Sequence, residues 1–198
     1  MIVNRLAAVL LLALALAGCG SDSKSGEPAS TSPSSQPPIA TTSCEPSADA
    51  ALTSRTSPAI ESRETMYLTN VTLATEPCTD RVVFDFEKQA PGPGFEVSYQ
   101  PASTAKTEDG SGNPVEIDGA AFLVVKLTPA MTAKIDGDQV TKTYTRPKRL
   151  PPVAGSNVRD VVKTGDFEAV VTWAIGLDKK RPFTTDASES QLAVEIGR

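Results

Sequence analysis

The chain of 198 residues contains no histidine. This absence excludes nucleophiles that depend on histidine, as in Ser-His-Asp sites, and it excludes zinc bound by histidine. Aromatic residues make up only 5% of the chain, and the formal net charge is −5. A negative overall charge argues against general nucleic-acid binding, which needs a cationic surface to displace counterions. A Ser-Lys pair or two carboxylates remain open as catalytic groups, but an enzyme is disfavoured and we predict no catalytic residues.

The first nineteen residues have the layout of an export signal. Arg5 is followed by an apolar run from Leu6 to Ala17, which is short for a membrane span. The run ends in Leu-Ala-Gly-Cys at Cys19, which resembles the lipobox of bacterial lipoproteins. The resemblance implies that residues 1–18 are a cleaved signal peptide and that the Cys19 sulfur is acylated; a plain secretory signal is the alternative. Because two or more acyl chains hold a protein on a membrane, we expect an anchor on the extracytoplasmic face of the cell membrane.

The two remaining cysteines, Cys44 and Cys78, would then lie in an oxidising compartment. A leftover pair in an exported domain is most simply a disulfide. The chain-entropy model gives such a bridge about 3–4 kcal/mol of stabilisation. A thiolate metal site is the alternative, but two cysteines without histidine are a poor ligand set. We therefore predict a disulfide, and we predict no metal site and no cofactor.

Residues 19–64 are predicted to form a lipidated cysteine followed by a linker rich in Ser, Thr and Pro. The part from Gly20 to Ser43 has almost no apolar side chain to bury, so we expect it to be disordered. A flexible chain of that length spans roughly 25–30 Å root-mean-square. The part from Glu45 to Glu64 is weakly patterned, and a short helix around Ala48–Arg55 is the most regular structure that it suggests.

Residues 65–198 are predicted to form a single all-β domain. Apolar and polar residues alternate with a period of two, which is typical of strands with one buried face. The clearest such segments are Arg81–Glu87, Phe95–Gln100, Ala121–Thr128 and Gln191–Ile196, with weaker ones at Met66–Leu73 and Asn157–Thr164. Stretches rich in Gly, Pro and Asp separate them, at residues 90–94, 108–114, 134–139 and 146–156. Several short strands without a helical period favour a two-sheet antiparallel β-sandwich, with a barrel as the alternative.

The segment from Asp166 to Leu177 is predicted to be one central strand, followed by a charged corner. One face of this strand would carry Phe167, Ala169, Val171, Trp173, Ile175 and Leu177. We interpret Trp173 as a core residue, and stacking against a ligand is the alternative. The acidic pairs Asp85/Glu87 and Asp166/Glu168 are interpreted as solvated sheet surface, because the sequence indicates no cleft between them.

Two basic clusters interleaved with proline are the candidate binding residues. Cations in loops are often only solvated, but arginine and lysine at such positions also suit a carboxylate-bearing polymer. Outside a bacterial membrane that polymer would be the cell wall. The candidate ligand-binding residues are Trp173, Asp178, Lys179, Lys180 and Arg181 in one group, and Arg146 and Arg149, with Lys148 between them, in the other.

The segment between Gly165 and Phe183 contains the motifs "GDFE", "VTW", "GLD" and "RPF". Together with other stretches between Thr65 and Arg198, these motifs resemble the AMIN-like domain of small actinobacterial-type lipoproteins. The resemblance implies a β-sandwich and a distant relation to the AMIN modules that target N-acetylmuramoyl-alanine amidases to peptidoglycan. Such modules bind without cleaving, and we expect no amidase domain to be attached to this one. We therefore expect a non-catalytic lipoprotein that binds peptidoglycan or a wall-associated protein. A carrier or sensor with a small or lipidic ligand inside the sandwich is the alternative.

Overall fold

The computed structural model describes residues 44–45, 47–58, 64–87 and 91–198. The predicted signal peptide, the acylated Cys19 and the linker up to Ser43 lie outside the described residues.

The described part of the chain is almost entirely β-structure. In chain order the elements are β1 (Arg55–Thr56), β2 (Met66–Thr75), β3 (Thr79–Phe86), β4 (Phe95–Gln100), α1 (Ala102–Ala105), β5 (Ala121–Leu127), β6 (Ala130–Met131), β7 (Ala133–Asp136), β8 (Gln139–Lys142), β9 (Val158–Phe167), β10 (Val170–Leu177), β11 (Phe183–Ala187) and β12 (Gln191–Gly197). Sheet I has the strand order β1-β4-β5-β10-β9, sheet II has the order β11-β12-β3-β2-β6, and β7 and β8 form a separate hairpin. All pairs are antiparallel except β2 with β6. The predicted two-sheet sandwich is confirmed.

The core lies between the inner faces of the two sheets. Alternate residues of the strands supply it, as the period-two pattern predicts. Among its fully buried side chains are Val82 and Phe84 of β3, Leu123 and Leu127 of β5, Trp173 and Ile175 of β10, and Leu192 and Ile196 of β12. These large side chains fill the interior, so the hypothesis of a ligand carried between the sheets gains no support from the fold.

The outer face of sheet I is covered by a second apolar cluster. Phe122 and Val124 of β5 lie in it with Ala174 of β10, beneath Ala105 of α1 and Ile117 of the following loop. Because β5 is buried on both faces, its sequence is a continuous apolar run rather than a strict alternation. Phe122 and Val124 are accordingly buried on the outer side of this strand.

The predicted strand from Asp166 to Leu177 is wrong at its beginning. Glu168 and Ala169 have φ angles of 50° and 58°, and Phe167 pairs with Val170, so the chain turns back there in a two-residue hairpin. Phe167 is consequently 55% exposed at the end of β9. Positive φ at both turn residues is usual in such hairpins, but they generally carry Asn or Gly. Neither residue is present, so the local sequence gave no sign of the turn.

Other local assignments also differ from the sequence predictions. In place of a short helix around Ala48–Arg55, Ala51 forms a bridge with Phe183 and Arg55 begins β1, which pairs with β4. The edges of the two sheets offer backbone hydrogen-bond partners to this weakly patterned segment. It pairs with them instead of forming helical hydrogen bonds. The stretch at residues 134–139 is the tip of the β7–β8 hairpin, with Gly137 at the turn.

Candidate functional site

The charged corner after β10 crosses from sheet I to sheet II. We call residues Asp178–Pro182 the ridge. Arg181 forms a bidentate ion pair with Asp178, with Nε–Oδ1 and Nη2–Oδ2 distances of 2.8 Å. Its Nη2 also donates to Asn157 Oδ1 at 3.0 Å, and its side chain is only 12% exposed. The Arg181 guanidinium is therefore engaged by other groups of the protein, and it stabilises the conformation of the ridge.

The same ion pair determines the charge state of the ridge. The hydrogen bonds from Arg181 hold the pKa of the Asp178 carboxyl below its usual value, and Asp178 in turn raises the pKa of Arg181. Both groups are charged at neutral pH and offset each other. The net positive charge of the ridge consequently comes from Lys179 and Lys180.

Tyr99 at the end of β4 is a second support of the ridge. Its hydroxyl donates to the Arg181 carbonyl oxygen at 2.7 Å and accepts from the Arg181 amide at 2.8 Å. Its ring meets Phe183 edge-on, with centroids 5.9 Å apart. Burial raises the pKa of the Tyr99 hydroxyl, which keeps it protonated and able to donate.

A buried carboxylate lies below the ridge. Asp80 in β3 is fully buried and accepts hydrogen bonds from Thr75 Oγ1 at 2.9 Å and from the Asn157 amide at 2.8 Å. Its charge also raises the pKa of Arg181. Asn157 thus bridges Asp80 to Arg181, since its amide donates to one and its side-chain oxygen accepts from the other. This network connects the ridge to the interior of the sandwich.

Lys179 and Lys180 are the exposed cations of the ridge. Lys180 Nζ lies 5.4 Å from the centroid of the Tyr99 ring, within the range of a cation–π contact. Lys179 makes no side-chain hydrogen bond or ion pair within the described part of the chain. Both ammonium groups are carried on a backbone that Tyr99 and Arg181 hold in place, so they are available to an external anion.

A cleft lies on each side of the ridge, and Lys179 and Lys180 line both. The corner cleft has a volume of about 360 Å³ and is also lined by Cys44, Cys78 and Arg198. The second, which we call the helix-side cleft, has a volume of about 610 Å³. Its other walls include Tyr99, Gln100, Ala102, Ala120 and Phe122. Both volumes lie in the range of about 300–1,000 Å³ that is usual for ligand sites.

The predicted disulfide is present and lies in the corner cleft. Cys44 and Cys78 are bonded, with their Cα atoms 5.1 Å apart. Cys78 belongs to the turn between β2 and β3, so the bridge attaches the segment that begins at Cys44 to sheet II. The linker predicted for the preceding residues therefore joins the sandwich beside the ridge.

The second basic cluster is separate from the ridge and lies along β9. Arg149 forms an ion pair with Asp160, and its Nη2 donates to the Glu116 carbonyl oxygen at 2.6 Å. Lys148 Nζ lies 3.3 Å from Glu108 Oε1. Arg146 is exposed and forms no hydrogen bond or ion pair with any residue that the structure describes. The structure does not bring the two clusters together into one site.

Trp173 lies in the core, as its strand pattern predicts. It is 0% exposed, and its ring meets those of Phe84 and Tyr144 edge-on at centroid distances of 6.0 and 5.7 Å. Its indole nitrogen is buried and has no hydrogen-bond partner among the described residues. The indole has no exposed face, so Trp173 is not placed to stack against a ligand.

A polar cleft of about 270 Å³ contains several carboxylates, but each has a partner. Glu108 accepts from Ser111 Oγ at 2.8 Å and faces Lys148, and these contacts lower its pKa. Asp166 lies 2.9 Å from Lys163 Nζ, and Asp109 accepts from Thr172 Oγ1. A general acid needs a raised pKa. Glu108 therefore lacks the raised pKa of a general acid.

Sequence reasoning missed Tyr99, Asn157 and Asp80 as parts of the site. The side-chain alternation of β4 predicts a partly buried Tyr99, but no local signal connects it to a residue 82 positions away. Asp80 and Asn157 lie in turn and strand-end positions, where Asp and Asn are common for other reasons.

In the part of the chain that the structure describes, no group of three or more Cys, Asp or Glu side chains is placed to hold a metal ion. No helix there is both long and apolar enough to cross a membrane.

Comparison with known proteins identifies the family. The model of the AMIN-like domain matches residues 66–198, which include both sheets from β2 to β12. No curated protein and no solved structure matches the chain. The match covers well over half of the sequence and contains the ridge with most of both adjoining clefts. The chain belongs to the AMIN-like domain family.

Proposed function

We propose that this chain is a non-catalytic, lipid-anchored envelope lipoprotein whose sandwich binds the carboxylates of cell-wall peptidoglycan through Lys179 and Lys180. Membership of the AMIN-like family indicates a non-catalytic module associated with the cell envelope. The observation that carries the proposal is the ridge itself: two exposed lysines lie between two clefts, on a backbone held by Tyr99 and Arg181.

The fixed backbone favours binding because less conformational freedom is lost when the ligand arrives. Arg181 is engaged by Asp178 and Asn157, so the loop is ordered before binding. Each lysine ammonium offers three donors to a carboxylate. The contact is exposed and ionic, so it will weaken as salt is added.

The clefts beside the ridge supply the remaining contact surface. Gln100 in the helix-side cleft offers both a donor and an acceptor for hydroxyl groups, next to the apolar side chain of Phe122. The corner cleft is also lined by Arg198, whose guanidinium is held in place by hydrogen bonds to the carbonyl oxygens of Glu76 and Gly155. A polymer that alternates sugars with carboxylate-bearing peptides would contact the lysines and one of these clefts together.

The anchor and the ridge are connected through Cys44. The predicted linker of residues 20–43 would span roughly 25–30 Å root-mean-square between the acylated Cys19 and the sandwich. Because Cys44 lines the corner cleft, the linker joins the domain next to Lys179 and Lys180. An anchored protein would therefore hold the ridge within a few nanometres of the bilayer, where the wall begins.

Sedimentation with purified peptidoglycan tests the wall-binding proposal. The chain from residue 19 with Cys19→Ser, which cannot be acylated, should sediment with the wall and be released by added salt. The double variant Lys179→Ala/Lys180→Ala should lose most of this binding. Its matched control, Lys126→Ala/Lys142→Ala, removes the same charge from exposed positions in β5 and β8 and should bind normally. A parent chain that stays in the supernatant would discard wall binding, and an unaffected ridge variant would discard the ridge as its site.

Mass spectrometry of the native protein tests the anchor. Its mature N-terminal peptide should begin at Cys19 and carry the mass of a diacylglyceryl group. The Cys19→Ser protein should move from the membrane fraction to the soluble fraction of the cell. An unmodified Cys19 in membrane-derived material would contradict the anchor while leaving the binding assay unaffected.

A further inference from the structure

Strand β2 has an open edge along most of its length. On one side it pairs with β3 from Leu68 to Thr75. On the other side it pairs with β6 at Met66 and Tyr67, and no other strand of the described part of the chain continues this pairing. Among the described residues, the edge from Asn70 to Thr75 therefore has no paired strand and can receive one from outside.

The hairpin geometry identifies the free backbone groups. Next to the β2–β3 turn, the Glu76 amide donates to the Thr79 carbonyl oxygen at 2.8 Å, so this is a hydrogen-bonded pair. Hydrogen-bonded and non-hydrogen-bonded pairs alternate in an antiparallel ladder. The amides and carbonyls of Val71 and Leu73 consequently point away from β3, toward the open edge.

The edge from Asn70 to Thr75 has none of the protective residues that an exposed strand usually carries. Charged residues, proline or a covering segment usually prevent pairing with a second chain. The sequence from Asn70 to Thr75 is "NVTLAT", which has no charge and no proline. By contrast, the edge of β9 is covered by residues 148–150, since the Leu150 amide donates to Val161 O at 3.0 Å. The start of β11 is likewise covered, by Ala51.

A narrow apolar groove runs beside the open edge. Its volume is about 230 Å³, and its walls are Val71 and Leu73 on one side and Pro147, Leu150, Pro151 and Val153 on the other. This volume is below the usual range for compact ligands, about 300–1,000 Å³, and suits a row of small side chains. Pro147 and Pro151 have no amide proton, so they do not donate hydrogen bonds to the free carbonyl oxygens of β2.

Arg146 also lines this groove and gives it a charge preference. Its guanidinium is exposed and has no hydrogen-bond or ion-pair partner in the described part of the chain. The other two cations of its cluster differ, because Arg149 is paired with Asp160 and Lys148 with Glu108. A carboxylate on the occupant would find a bidentate partner in Arg146.

We propose that the β2 edge from Asn70 to Thr75 binds an extended acidic strand from a partner protein. The strand adds to sheet II by backbone hydrogen bonds, its small apolar side chains enter the groove, and its carboxylate pairs with Arg146. This mode of recognition takes affinity from the main chain and specificity from side-chain pockets. The inference goes beyond wall binding, since the groove and the ridge share no lining residue. One domain would then join a wall-facing surface to a protein-facing one.

The test begins with random peptides displayed on phage and selected on the Cys19→Ser chain. The selected peptides should alternate small apolar residues and carry Asp or Glu at a defined position. Binding of one synthetic selected peptide is then measured by fluorescence anisotropy. Methylating the alternate amides on one edge of this peptide should abolish binding, while methylating those on the other edge should leave it nearly unchanged, because only one edge of an added strand meets β2.

Protein variants separate the groove from the ridge. Arg146→Glu should weaken binding of the peptide about tenfold or more. The matched reversal Arg159→Glu, at an exposed position of β9, should leave binding unchanged, as should Lys179→Ala/Lys180→Ala, so this result is independent of the wall assay. The proposal is overturned if no such pattern is selected, if both methylated peptides bind equally, or if Arg146→Glu has no effect. If soluble muropeptides displace the peptide, the β2 edge binds the cell wall instead of a partner protein. If the chain forms a dimer that the peptide dissociates, the edge binds a second copy of the chain.

Discussion

The Tyr99 hydroxyl holds the backbone of Arg181 from both sides, donating to its carbonyl oxygen at 2.7 Å and accepting from its amide at 2.8 Å. Tyr99 lies near the end of β4 in sheet I, and Arg181 lies just before β11 in sheet II. The pair therefore ties the two sheets together at the ridge and determines where Lys179 and Lys180 are presented.

Removal of this hydroxyl should loosen the ridge. Tyr99→Phe leaves the partly buried amide and carbonyl of Arg181 without partners, which should lower the free energy of unfolding by about 1–3 kcal/mol. Urea denaturation measures the loss, and peptidoglycan sedimentation should weaken in parallel. Tyr67→Phe is the control, since its hydroxyl has no hydrogen bond in the described part of the chain and its loss should stay within about 0.5 kcal/mol. Equal effects of the two changes would contradict the bracing role of Tyr99.

The Asp178–Arg181 pair should make the protein sensitive to acid. The pKa of Asp178 is lowered from 3.8 in the folded state, chiefly by hydrogen bonds from Arg181. A lowered folded pKa contributes stability that is present above the unfolded value and is lost as the pH falls through the folded value. The parent chain should therefore lose more stability than Asp178→Asn as the pH falls below 3.8. Denaturation curves at neutral and acidic pH measure this, and parallel losses in the two proteins would contradict it.

The disulfide should contribute strongly to stability. Cys44→Ser/Cys78→Ser removes a bridge across 34 positions and should lower the free energy of unfolding by about 3–4 kcal/mol. Dithiothreitol should lower the stability of the parent chain to that of the variant and leave the variant unchanged. If the reductant affects both proteins equally, its action does not come from this bridge.

The fluorescence of Trp173 should report the core rather than the ligand. It is the only tryptophan in the chain and is fully buried. Its emission should resist quenching by acrylamide in the folded protein and should become accessible on unfolding. Saturation with soluble peptidoglycan fragments should leave its emission maximum unchanged. A shift of the emission maximum that follows the binding curve would contradict this and would indicate that Trp173 lies at the ligand site.

The strand predictions were accurate where a strand has one buried face and one exposed face. Val82, Phe84 and Phe86 of β3 lie in the core, and so do Leu192, Val194 and Ile196 of the neighbouring strand β12, as the alternation of both segments requires. The prediction was wrong at Glu168–Ala169, because a hairpin turn without Asn or Gly has no local signal. Strand β11 was missed because its polar "TTDA" lies at a sheet edge, where little burial is needed.

The basic clusters show where prediction of the site from sequence ended. Lys179, Lys180 and Arg181 are adjacent cations and look equivalent in the sequence. In the structure two are exposed and the third is bound to Asp178 and Asn157. The same division separates Arg146 from Arg149. Partners that come from remote segments make the difference, and a loop sequence does not specify them.

The sequence by itself determined the all-β class, the residues of the inner faces and the cysteine pair. Alternation of apolar residues and the number of cysteines are properties of the sequence alone. Only the tertiary structure decided which cations are free, that Tyr99 and Asp80 support the ridge, and that the edge of β2 stays open. These features depend on contacts between residues far apart in the chain. Such contacts form, and contribute to stability, only when the two sheets have packed together.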